Sequence, residues 1–112
     1  MMMPDSDNLF FNLPQDLQEE LFEDLFRGKN IRIERIISNG QSSPEGFWYD
    51  QEWDEWVILL SGSAELEFEE GKTINLTPGN YVYIPAKKRH RVNSTSQENL
   101  SVWLAIHLKP EV

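Results

Sequence analysis

The pattern of apolar positions changes character once along this chain, near Gly28. Before that point Leu17, Leu21, Phe22, Leu25 and Phe26 recur at helical spacing and gather on one face of a helix. Pro14 suits the first turn, where its missing N–H costs nothing. Asp16, Glu19 and Glu20 lie toward the positive end of the helix dipole. Gly28 fits a C-terminal stop. The spacing therefore predicts one amphipathic helix within residues 13–28, after a frayed polar tail over residues 1–9.

After Gly28 the chain reads as strands and turns. Ile31 and Ile33 alternate with Arg32 and Glu34, and residues 39–46 form a loop by composition. Phe47-Trp48-Tyr49 is a short aromatic strand, and Glu55 to Leu60 is a strand apolar on both faces. Ser61-Gly62-Ser63 bends the chain into the alternating Ala64–Phe68, and Glu70-Gly71 signals a hairpin. Ile74 and Leu76 lead to the turn Pro78-Gly79-Asn80, then Tyr81–Ile84 is a strand stopped by Pro85. His90–Thr95 and Leu100–Leu108 complete the set. About eight or nine short strands, turn-bounded roughly every ten residues, predict an all-β sandwich or barrel. The strand Trp56–Leu60 needs cover on both faces. One face points into the barrel, and the other needs the helix, a second sheet or another subunit.

A length of 112 residues fits one domain, with tail and helix in residues 1–28 and the barrel in 29–112. The net charge of −9 repels phosphate backbones and anionic lipid, so neither nucleic acid nor membrane is expected as a partner. The one basic cluster is Lys87-Lys88-Arg89-His90-Arg91. With no cysteine, disulfides, thiolate zinc sites and thiol nucleophiles are excluded. The first residues do not have the pattern of a secretory signal, and the longest apolar run, Trp56 to Leu60, is too short to span a bilayer. A cytoplasmic location is expected.

From Gly46 to about Asn93 the chain resembles the small single-domain cupins. Their first motif has a histidine pair, then a glutamate, then a glycine after six more residues. Glu55 followed by Gly62 matches the second half. In place of the histidine pair stands Trp48-Tyr49-Asp50-Gln51, so that either Tyr49 and Gln51 or Trp48 and Asp50 take those positions. Pro85-Ala86-Lys87-Lys88-Arg89-His90 has the spacing of the second motif, with Lys87 where that motif has glycine. The resemblance implies an all-β, cupin-type double-stranded β-helix (a jelly-roll barrel) with one short N-terminal helix outside it. It also implies a homodimer, which the doubly apolar strand 56–60 supports.

On this pattern Glu55 and His90 converge inside the barrel. Carboxylate and imidazole suit one divalent first-row metal such as iron, manganese, nickel or zinc. They also suit a metal-free barrel ordered by a Glu–His contact. His107 shares a strand face with Trp103 and Ala105, and replaces a lost motif histidine if that face is inward. Gln51 and Tyr49 have the strand parity of Glu55, which makes Gln51 a weak metal ligand and Tyr49, with Trp103, a ligand contact. Lys87 and Lys88 are candidate anchors for an anionic ligand at the rim, against the simpler reading of a solvated turn. The functional classes left open are two. One is a metal-dependent enzyme of oxygenase, isomerase or lyase type acting on a small anionic molecule, with Glu55 as base. The other is a metal-free, non-catalytic binding or structural module.

Overall fold

The computed structural model describes residues 5–111. Eight strands follow in order: β1 (Leu21–Arg27), β2 (Ile31–Ser38), β3 (Asp54–Ser61), β4 (Ala64–Phe68), β5 (Thr73–Leu76), β6 (Tyr81–Ile84), β7 (His90–Thr95) and β8 (Ser101–Leu108). They form a five-stranded sheet in the order β1-β2-β8-β3-β6 and a three-stranded sheet in the order β5-β4-β7. All pairings are antiparallel. The short aromatic strand expected at Phe47–Tyr49 is reduced to a single bridge between Tyr49 and His90.

The N-terminal helix is not formed, and the described residues contain no α-helix. Leu21–Arg27 instead pairs as an edge strand along β2, from Leu21 opposite Ile37 to Arg27 opposite Arg32. Helix propensity is a weak prior, and a ladder of backbone bonds to β2 overrides it. The paired apolar residues Leu21-Phe22 and Leu25-Phe26 fit either a helix face or an edge strand with apolar groups on both sides. A bulge between Asp24 and Phe26 lets the strand adopt that second arrangement.

Strand parity defines the inside. Leu59 lies opposite Trp103, Val57 opposite Ala105 and Glu55 opposite His107 across β3 and β8. Arg32, Glu34 and Ile36 of β2 lie opposite His107, Ala105 and Trp103, so they share the inward face. The core is built where this face meets the small sheet: Val57, Leu59, Ala64, Leu66, Phe68, Leu76, Ile84, Trp103 and Ala105 are all buried in one cluster. Gly62 makes the tight β3–β4 connection. Its φ of +84° favours glycine, and a Cβ there would sit 2.6 Å from the Ser101 Cα.

The outward face of the large sheet is apolar as well. Trp56, Ile58, Leu104 and Ile106 are half-buried there, and Tyr81 and Tyr83 are exposed. Among the described residues, cover comes only at one edge, where the N-terminal segment folds over buried Arg35. The guanidinium of Arg35 donates to the carbonyls of Leu9 (2.9 Å) and Phe11 (2.7 Å) and to Glu23 (2.6 Å). Among the described residues no helix is long and apolar enough to cross a membrane.

Candidate functional site

The inward polar residues of β2, β3, β7 and β8 meet at one end of the barrel. A cavity of about 60 Å³ there is lined by Glu55, His90, His107, Gln51, Tyr49 and Trp103. All six residues singled out in the sequence thus face one space. Glu20, Glu34 and Phe22 line it too. Asp50 is exposed, and neither it nor Trp48 reaches the cavity. Of the two ways to align the missing histidine pair, the one through Tyr49 and Gln51 puts both side chains inside.

Backbone bonds fix the loop that carries these two residues. Tyr49 N–H donates to the His90 carbonyl (2.7 Å), and Lys87 N–H donates to the Gln51 carbonyl (2.7 Å). The Tyr49 and His90 rings stack with centroids 5.4 Å apart. The His90 Nδ1 lies 2.9 Å from the Lys88 carbonyl oxygen, which can only accept. That contact places a proton on Nδ1 and leaves Nε2 of the neutral ring bare. Nε2 faces the Glu55 carboxyl at 3.7 Å, beyond hydrogen-bond reach.

Glu55 is buried, and no hydrogen bond to its side chain occurs among the described residues. Burial raises its pKa above the ordinary carboxylate range, and the neighbouring His107 and His90 oppose that rise. Burial also raises the pKa of Glu20, against the hydroxyl of Ser38 that donates to it at 2.6 Å. Ser38 in turn accepts from the Trp103 indole N–H at 3.2 Å, which locks the ring in the cavity wall. The Tyr49 hydroxyl is pushed up to about 12, first by burial and then by the charges of Glu20, Glu55 and Glu34.

The residues that sequence reasoning missed are Glu34, Arg32 and Glu20. His107 Nε2 lies 2.8 Å from Glu34 Oε1, so the imidazole is engaged with a carboxylate on the neighbouring strand. Arg32 stands 3.9 Å from the same carboxylate. The signal was present in the alternation of β2, but alternation does not say which face turns inward.

Lys87 and Lys88 do not line the cavity. They point to acids on the outer surface, Lys87 to Glu52 (3.8 Å) and Lys88 to Glu70 (2.6 Å), and Arg89 pairs with Glu69. Lys87, Lys88 and Arg89 thus form a rim paired with acids, while His90 alone of the basic run enters the cavity.

The donors are of the right kind for a first-row metal, and in the arrangement seen they are engaged with one another. His107 spends Nε2 on Glu34, and among the described residues no three His, Asp or Glu side chains surround a common point. The site is a polar, acid-rich cavity holding one buried carboxylate without a donor.

A small antiparallel jelly roll with a polar cavity at one end is the architecture of a cupin. Residues 34–107 match the Cupin domain, and the chain belongs to that family. It is similar to the crystal structure of a candidate mannose-6-phosphate isomerase from Ralstonia eutropha JMP134. The two are 45% identical over 96% of this chain and 100% of that one, with a TM-score of 0.92. A cupin superfamily protein from Desulfitobacterium hafniense shares the fold at 20% identity, over 88% of this chain and 84% of that one, with a TM-score of 0.72. So does an RmlC-like cupin with a double-stranded β-helix from Methanocaldococcus jannaschii, at 19% identity over 87% and 86%, with a TM-score of 0.67. No curated protein is significantly similar in sequence.

Proposed function

We propose that this cupin is a cytoplasmic enzyme of isomerase type, moving a proton on a small anionic organic molecule bound in the barrel. The observation that carries the reading is the Glu55 carboxylate, buried, without a hydrogen-bond donor, and set between His90 and His107. A carboxylate of raised pKa with no donor is a general base. Glu55 takes a proton from the carbon beside a substrate carbonyl and, as the carboxylic acid it has become, returns it to the former carbonyl carbon. The bare Nε2 of His90 takes the proton of the neighbouring hydroxyl and returns it to the former carbonyl oxygen, and Tyr49 and Gln51 offer hydrogen bonds to substrate oxygens. The mannose-6-phosphate isomerase name of the Ralstonia relative makes phosphorylated sugars the first substrates to try.

The test is incubation with mannose 6-phosphate in D2O, with the substrate followed by proton NMR and the metal content measured on protein purified without a chelating column. Deuterium entering at the carbon beside the carbonyl, and its loss by about a hundredfold or more in Glu55→Gln, is expected. No exchange with the native chain overturns the isomerase reading.

A second reading is favoured by the His90 Nδ1 contact to Lys88, since orienting a ring through its other nitrogen is how metal-binding histidines are held. There one divalent first-row metal is bound by His90 and Glu55, with Gln51 and with His107 released from Glu34. One equivalent of iron, manganese, nickel or zinc that disappears in His90→Ala decides for it.

The proposal includes a homodimer through the apolar outward face of the large sheet, where Tyr81 and Tyr83 are 64% and 56% exposed. Light scattering at about tens of micromolar should give twice the chain mass, and a monomer there overturns the dimer.

A further inference from the structure

Beside the acid-rich cavity lies a second, roomier recess of about 300 Å³, lined by Arg27, Gly28, Arg32, Gln51, Glu52, Trp53 and His107. Gln51 and His107 line both spaces, so the recess adjoins the cavity with only these side chains common to the two walls. Its charge is opposite. Arg27 and Arg32 are direct cross-strand partners on β1 and β2. Like charges set opposite each other in a ladder are destabilising, so this placement needs a reason.

The β1 bulge creates it. Up to Asp24, which pairs with Glu34, the register would bring Phe26 opposite Arg32 and turn Arg27 outward. The extra residue at Leu25 moves Phe26 opposite Ile33 and turns Arg27 to the inward side, beside Arg32. An exposed apolar ring is thereby exchanged for a second guanidinium.

The acids beside the pair leave part of its hydrogen-bonding capacity unused. Asp24 takes the Nε and Nη2 of Arg27 through one oxygen, in an exposed pair. Glu34 is 3.9 Å from Arg32 and already accepts from His107. The Arg32 Nε is buried with no hydrogen-bond partner. The remaining acid on the wall, Glu52, lies toward Lys87.

We propose that Arg27 and Arg32 form an oxyanion subsite, which holds the carboxylate or phosphate of a ligand in the recess while its uncharged polar end passes Gln51 and His107 to Glu55. Guanidinium forks match the paired oxygens of both groups. The sizes agree with this division, since the inner cavity has room only for a small reacting end. The subsite rests on reading the barrel cavity as a ligand site, but it does not depend on the chemistry assigned to Glu55.

The experiment is a titration of the native chain with inorganic phosphate, and separately with acetate, followed by NMR of the arginine Nε–H and tryptophan indole N–H signals. Saturable shifts are expected at Arg27, Arg32 and Trp53. Arg27→Gln, at an exposed position that does not endanger folding, should weaken phosphate binding about tenfold, and Arg32→Gln at least as much. Response to phosphate alone identifies a phosphate ester as the ligand, and response to both admits carboxylates. Glu55→Gln should keep the binding. If it does so while the native chain shows no proton exchange, the subsite stands and the isomerase reading falls. Shifts confined to Lys87–Arg91, shifts that fail to saturate, or unchanged affinity in both arginine variants overturn the subsite.

Discussion

On β3 the inward positions run Glu55, Val57, Leu59; on β8 they run His107, Ala105, Trp103; on β2 they run Arg32, Glu34, Ile36. Each strand therefore passes from ionisable to apolar along one face. At the closed end Leu59, Ala64 and Leu76 pack in a continuous core. At the open end Glu55, His90 and His107 are equally buried, yet among the described residues Glu55 accepts no hydrogen bond and Arg32 has an orphaned Nε. Burial alone does not distinguish the two ends. What differs is whether burial is favourable, and local rules are broken at the open end, which is the pattern expected of a functional site.

The sharpest contrast comes from truncation at the closed end. Leu59 is fully buried against the small sheet. Leu59→Ala removes buried methyl groups and leaves a cavity, so it should cost about 2–5 kcal/mol in a urea or thermal melt. A loss below about 1 kcal/mol would mean that this end is as loosely packed as the other, and the contrast would fail.

At the open end the sign reverses. Glu55 has a folded-state pKa raised above its unfolded value. Between the two values the folded chain binds more protons than the unfolded one. Stability is thus highest at or below the ordinary carboxylate pKa and falls as pH climbs through the raised one. Glu55→Gln keeps the shape and removes the charge, so it should stabilise the neutral-pH protein by roughly 0.5–2 kcal/mol while abolishing proton transfer. It should also flatten the stability profile on the alkaline side of the ordinary value. Melts of both proteins across that range check this. A variant less stable than the native chain at neutral pH would show that ionised Glu55 is held by a favourable partner.

The closed end was largely legible in the sequence, and the open end only in part. Clean alternation in Ala64–Phe68 and the turns at Gly71 and Gly79 located strands whose partners are near in sequence. The Glu55–Gly62 and Pro85–His90 spacings brought Glu55 and His90 together, and strand parity added Trp103 to His107. Glu34 and Arg32 were missed because an apolar and a polar residue alternate on β2 whichever way the strand faces. Here the outward side carries Ile31, Ile33 and Ile37, with only Ile36 of the four turned inward, against the usual polar exterior, since the large sheet is apolar on both sides. The edge strand β1 was misread as a helix for a related reason. Its apolar pairs serve two faces through a bulge, and a bulge mimics helical spacing over so short a run. The arginine pair it creates has no signature in the sequence at all, because it depends on register.

The smallest effect expected lies on the rim, and it separates two glycine positions of the family motifs. Gly62 is needed twice over: its φ is +84°, and a side chain would strike the backbone of Ser101. Lys87 stands where the second motif has glycine, and it adopts the conformation that glycine would, with φ at +67°. A left-handed backbone costs an L-residue about 1–2 kcal/mol, whereas glycine adopts it freely but loses more entropy on folding, by about 0.5–1 kcal/mol. The Lys87 ammonium contributes little in return, because it reaches Glu52 at 3.8 Å with both side chains more than two-thirds exposed. The backbone N–H that ties Lys87 to Gln51 survives in any replacement except proline. Lys87→Gly should therefore raise stability by up to about 1 kcal/mol and leave the Tyr49–Gln51 loop in place. Lys87→Val, with a branched side chain in the same backbone, should lower it. Denaturant midpoints for the pair decide the matter. If both substitutions destabilise alike, the lysine side chain itself holds the rim, and the strain assigned to its backbone is not what sets the open end apart.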